Sequence, residues 1–103
     1  MKPALYLVIV EGAEPGERIP LGEEPIVIGR EAPADLLLPD PLVSRRHCRV
    51  SLMGDEAFVF DLGSTNGTYI DGKLVMGSTP LPKGAHLEIG DHILQCAAFG
   101  SPD

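Results

Sequence analysis

The sequence predicts an all-β protein, a sandwich of two twisted sheets assembled from about ten or eleven short strands. Three observations predict it. The 103 residues include 12 glycines and 10 prolines, which break the chain every few positions. Apolar residues fall in short runs between those breaks, many of them alternating with polar ones. No window keeps a 3.6-residue apolar period for two turns without a Gly or Pro, so long helices are not expected. Hydrophobic residues make up 44% of the chain, enough for one core and too many for general disorder. No repeat, linker or composition shift divides the sequence. One domain over residues 1–103, with a core from about 5 to 99, is expected.

Each predicted strand has a local reason. Residues 4–11 alternate and end at Glu11-Gly12, and residues 17–21 follow Gly16. Residues 25–28 form a β-branched run closed by Gly29, and residues 35–38 stop at Pro39. Residues 48–53 and 57–62 alternate on either side of Gly54. Residues 68–70 and 73–75 flank Asp71-Gly72, and residues 86–89 and 92–99 flank Gly90-Asp91. Asn66-Gly67 and Asp71-Gly72 both read as hairpin turns, because Asn or Asp followed by Gly best tolerates two positive φ angles. Ser78-Thr79-Pro80 reads as a loop.

Charge excludes several functions. Fifteen acidic residues against eight Lys and Arg give a net charge of −7, which opposes binding to a nucleic-acid backbone. The longest apolar run, residues 4–10, is far short of the roughly 20 residues that cross a bilayer. It follows Met1-Lys2 as a signal peptide would, but Glu11 ends it and no small-residue cleavage pattern follows. Two cysteines, Cys48 and Cys96, do not make a disulfide framework. Both are expected to be buried and reduced in a cytoplasmic protein.

The few cations are placed unevenly. Arg45, Arg46 and Arg49 cluster with His47, while the preceding part of the chain is mainly acidic. Arg30 follows Gly29 at the end of a predicted strand, where a rigid scaffold presents its binding loops. Its planar fork of donors suits a carboxylate or phosphate. In Ser44-Arg45-Arg46-His47 a hydroxyl beside guanidinium groups adds a donor and a local positive field. Asn66 fits a turn, yet its amide can also hold an extended peptide by the backbone.

Ile28-Gly29-Arg30, Ser44-Arg45-Arg46-His47 and Gly63-Ser64-Thr65-Asn66-Gly67-Thr68, in this order between strand patterns, resemble the forkhead-associated (FHA) domain, a phosphothreonine-peptide-binding module of kinase signalling. Ala34-Asp35-Leu36, Asp61-Leu62 and Leu87-Glu88-Ile89-Gly90-Asp91 extend the resemblance from about Leu5 to Phe99. It implies an eleven-stranded β-sandwich with binding loops at one end. Residue by residue, it implies that Arg30 grips the phosphate and Ser44 hydrogen-bonds it, with Arg45 able to add a contact. Asn66, helped by Thr65, would hold the peptide backbone. Gly29, His47 and Gly67 would be structural at the site. Leu42 stands where the family reads the side chain three positions after the phosphothreonine, and an aliphatic residue is the expectation.

A partner bearing the phosphothreonine, supplied in trans, and an upstream Ser/Thr kinase follow from the resemblance, since Thr65, Thr68 and Thr79 are the only threonines of the chain. No cofactor is implied. An enzyme is not expected either: Ser44, His47 and Asp61 supply triad residue types, but no nucleophile elbow surrounds Ser44. His47, His86, His92, Cys48 and Cys96 lack metal-ligand spacing. The rival reading is an FHA-type domain used for phosphate-independent protein association.

Overall fold

The computed structural model describes residues 5–12 and 14–99. In chain order the strands are β1 (Leu5–Glu11), β2 (Arg18–Leu21), β3 (Ile26–Gly29), β4 (Leu36–Leu37), β5 (Cys48–Met53), β6 (Glu56–Asp61), β7 (Thr68–Ile70), β8 (Lys73–Leu74), β9 (Thr79–Leu81), β10 (His86–Ile89) and β11 (His92–Ala98). Among the described residues there is no helix. Ala4, expected in the first strand, lies outside the described residues.

Alternation sorts these strands into two facing sheets. Leu5, Leu7 and Ile9 of β1 are buried, as are Leu94 and Cys96 of β11 and Leu87 and Ile89 of β10. Their neighbours in sequence point to the outer surface. These strands belong to a six-stranded sheet ordered β2-β1-β11-β10-β7-β8. The second sheet, β4-β3-β5-β6-β9, contributes Ile28, Cys48, Val50, Ala57 and Val59 to the same core. Fully burying an aliphatic side chain of this size stabilises the fold by roughly 1.5–3 kcal/mol. Loop residues Leu38 and Val43 are equally enclosed, so the β4–β5 connection is fastened to the core at its start and again midway.

Two sequence expectations are corrected. Residues 79–81 are strand β9, which pairs with β6 through Ala57↔Leu81, Phe58↔Pro80 and Val59↔Thr79. Pro80 is tolerated because β9 is an edge strand, where the missing N–H removes no ladder bond. Asn66-Gly67 is not a hairpin. Its flanking strands β6 and β7 belong to different sheets, and of the pair only Gly67 has positive φ, at 86°. Asp71-Gly72 behaves as expected: φ is 50° and 83°, and Ile70 pairs with Lys73 across the turn.

Candidate functional site

Four connections meet at one end of the sandwich: the start of β3–β4, the β4–β5 loop, the β6–β7 loop and the β10–β11 turn. Backbone hydrogen bonds lock the first two together, from Arg30 N to the Ser44 carbonyl (3.0 Å) and from His47 N to the Ile28 carbonyl (2.8 Å). Gly29 is required here because a Cβ would overlap the carbonyl oxygen of Arg45. Gly90 likewise sits against Leu42, a Cβ there lying 3.3 Å from that of Leu42. The absence of a side chain thus brings two pairs of loops into contact.

His47 is fully buried and bridges three segments. Its Nδ1 accepts from Ser44 N at 3.0 Å, and its Nε2 lies 2.8 Å from the Gly67 carbonyl. A backbone N–H can only donate and a carbonyl only accept, so the ring proton resides on Nε2. Both nitrogens are therefore committed to backbone groups. Asp61 is committed as well: Oδ1 accepts from the hydroxyls of Ser64 and Thr68, each at 2.6 Å, and Oδ2 from the N–H groups of Gly63 and Ser64. Ser44, His47 and Asp61 consequently form no relay. Burial raises the Asp61 pKa, but the four hydrogen bonds outweigh it and hold the carboxyl below its ordinary value.

On this frame stand the expected contact residues. One arm of Arg30 donates to the Val43 carbonyl at 3.0 Å, which aims the rest of the guanidinium on a side chain that is 35% exposed. Ser44 Oγ accepts from Thr65 N at 3.0 Å. That bond uses a lone pair and leaves the hydroxyl hydrogen for an incoming acceptor. Asn66 Nδ2 donates to the Leu42 carbonyl at 2.9 Å, tying the β6–β7 loop to the β4–β5 loop and turning the amide oxygen over to other donors. Arg45 is 77% exposed, and its Nε lies 3.9 Å from Glu31 Oε2. The same carboxylate oxygen lies 3.8 Å from Nε of Arg30. Arg30, Ser44, Arg45, Thr65, Asn66 and Leu42 are thus brought to one end of the sandwich, with Gly29, His47 and Gly67 beneath them.

Sequence reasoning missed three participants. Asp61, named from the sequence only as a motif flank and a triad residue type, organises the whole β6–β7 loop, and the signal for that role was available: Asp two residues before a Gly-Ser pair is an Asx-turn pattern. The Val43 carbonyl could not be foreseen, because a backbone acceptor carries no sequence signature. Glu31 reads as one more surface acid. Elsewhere, Cys48 and Cys96 are free and buried. Burial pushes the Cys48 thiol up to about 12, with the Asp61 charge adding to it and a Thr68 hydrogen bond opposing it. Among the described residues no group of His, Cys, Asp or Glu could hold a metal ion, and no helix is long and apolar enough to cross a membrane.

Comparison with known proteins agrees with this architecture. The chain is 48% identical over 87 residues to the FHA domain-containing protein FhaB of Mycobacterium tuberculosis. The match covers 84% of this chain and 56% of the relative, so the chain spans little more than half the length of that protein. A solved structure described as a structural and functional analysis of phosphothreonine-dependent FHA domain interactions superposes with a TM-score of 0.82 at 32% identity, covering 91% of this chain and 95% of that one. Mycobacterium tuberculosis EmbR, solved in complex with a low-affinity phosphopeptide, superposes with a TM-score of 0.85 at 27% identity, over 98% of this chain and 26% of that one. The FHA domain model itself matches residues 26–90, which runs from β3 through the β4–β5 and β6–β7 loops to the end of β10, and the chain belongs to the FHA domain family.

Proposed function

We propose that this domain is a phosphothreonine-dependent peptide-binding module rather than an enzyme, working as one recognition unit with its core at residues 5–99. The observation that carries the reading is the arrangement around Ser44. Its hydroxyl is positioned by Thr65 N–H and keeps its hydrogen, beside a guanidinium anchored by the Val43 carbonyl. A phosphothreonine offers about −1.5 to −2 charges and three acceptor oxygens. Arg30 and Ser44 supply direct donors, Arg45 adds positive charge at the rim, Asn66 helped by Thr65 holds the flanking peptide backbone, and Leu42 faces a peptide side chain beyond the phosphothreonine.

The ligand comes from another polypeptide or another part of a longer chain, phosphorylated by a Ser/Thr kinase. Thr68 is buried and bonded to Asp61, and Thr79 lies within β9. Two unpaired cysteines suit the reducing environment of the cytoplasm.

Calorimetric titration with a phosphothreonine peptide and its unphosphorylated twin tests the reading. Charge-assisted hydrogen bonds contribute roughly 1.5–3 kcal/mol each, so Arg30→Ala should weaken phosphopeptide binding by at least about tenfold and leave the unphosphorylated peptide unaffected. Affinity should also fall below about pH 6 as the phosphate takes up a proton and loses its second negative charge. Equal binding of the twins would instead establish phosphate-independent association.

A further inference from the structure

Beside the phosphate-facing loops lies a groove of about 260 Å³ lined by Leu42, Asn66, Gly67, Tyr69, Glu88 and Gly90. It is separated from the Arg30 side by Asn66, whose amide spans to the Leu42 carbonyl. Its walls are unlike the cationic rim. Leu42 is 42% exposed and Tyr69 36% exposed, large apolar surfaces that face water in the free domain. Between them, on β10, is Glu88, paired in register with Tyr69 of β7. Glu88 is half-buried, and among the described residues no Lys, Arg or His forms an ion pair with it.

A carboxylate on a half-buried residue, flanked by an aliphatic chain and an aromatic ring, matches one kind of side chain. Lysine and arginine carry an apolar stem that packs on such walls and a cationic head that reaches an acid. The tyrosine ring adds a face for the cation. An acidic side chain is repelled by Glu88. A purely aliphatic one covers Leu42 and Tyr69 but leaves the carboxylate without a cationic partner. The charge of −7 over the whole chain acts in the same direction at longer range.

We propose that the Leu42–Tyr69–Glu88 groove is a subsite for a lysine or arginine of the bound peptide, in place of the aliphatic side chain that Leu42 alone suggests, so that the domain reads a doubly charged pattern with a phosphate on the Arg30 side of Asn66 and a cation on the Glu88 side. This selectivity rests on the phosphothreonine-binding reading of the neighbouring loops and names the class of ligand they serve.

The test is a set of otherwise neutral phosphothreonine peptides in which one lysine is moved along the chain a position at a time. Net charge is constant across the set, so long-range attraction contributes equally to every member. One position should bind about fivefold more tightly than the others, the scale of a favourable, partly exposed ion pair. Norleucine at that position should lose most of the gain. Glu88→Gln should abolish the positional preference while the phosphorylated peptide still outbinds its unphosphorylated twin, and Glu88→Lys should transfer the preference to a glutamate-bearing peptide. Uniform binding of all lysine positions, or a preference that survives Glu88→Gln, overturns the subsite and leaves phosphate recognition standing. Equal affinity for the phosphorylated and unphosphorylated neutral peptides overturns both.

Discussion

Glu31 places a carboxylate oxygen within 4 Å of two guanidinium groups, 3.8 Å from Nε of Arg30 and 3.9 Å from Nε of Arg45. Both separations exceed a charge-assisted hydrogen bond, so the residue holds the arginines by field rather than by fixed geometry. Such exposed pairs contribute at most about 1 kcal/mol. An arriving phosphate dianion must share those arginines with the resident charge. The carboxylate therefore works against the ligand more than it organises the site, since Arg30 is already aimed by the Val43 carbonyl. Glu31→Gln is expected to tighten phosphopeptide binding by about two- to fivefold at low salt, with the gain shrinking as ionic strength rises. Titration at two salt concentrations measures it. Weaker binding by the variant would instead assign Glu31 a positioning role. The remaining residue-level requirement is Gly29, where any side chain would collide with the backbone of the β4–β5 loop.

The β6–β7 loop shows what a single element demands of its sequence. Its turn is organised from outside its tip: Asp61 at the end of β6 accepts from Gly63 N, Ser64 N, Ser64 Oγ and Thr68 Oγ1, and Ser64 Oγ in turn accepts from Gly67 N. Asn66 is presented at the outside of this closed ring. Both carboxylate oxygens accept from donors, so the amide of an asparagine must turn its NH2 toward either the two hydroxyls or the two N–H groups, and Asp61→Asn should cost about 2–3 kcal/mol of stability at neutral pH. The pH dependence has a definite sign. The native pKa of Asp61 is lowered, against an unfolded value of about 3.9. The native state therefore binds fewer protons than the unfolded one in the window between them. The stability that Asp61 contributes is complete above the unfolded value and is lost as pH falls through the depressed native one. Urea melts of the two proteins between pH 7 and pH 3 should show a gap that is constant near neutrality and closes toward the acid end. A gap independent of pH would mean that the ionised carboxylate is not what holds the loop.

At the scale of the whole molecule, most of the sandwich was legible because alternation and turn chemistry are local. The alternating runs of β1, β5, β6, β10 and β11, and the Asp71-Gly72 hairpin, follow from short windows of sequence. What was not legible depends on distant partners. β9 reads as a loop because Pro80 looks like a breaker until an edge position makes it harmless. Asn66-Gly67 reads as a hairpin because nothing local says that β6 and β7 enter different sheets. The motif residues were recognisable one by one, whereas the Val43 carbonyl, Asp61 and Glu31 acquire their roles only when the loops meet. The core that brings those loops together also encloses both thiols: Cys48 and Cys96 are fully buried, on opposite sheets. Burial raises both pKa values, that of Cys48 to about 12, so little reactive thiolate exists and reagents cannot reach it. A disulfide-exchange reagent such as DTNB should label neither cysteine appreciably in the native state at pH 8 and both rapidly in denaturant. Because the two thiols lie in one core cluster, they should become reactive together across the unfolding transition, with a midpoint matching that of the backbone signal. If Cys96 reacted well before Cys48, the two sheets would open separately, and the loops at the end of the sandwich would lack the common foundation on which peptide recognition depends.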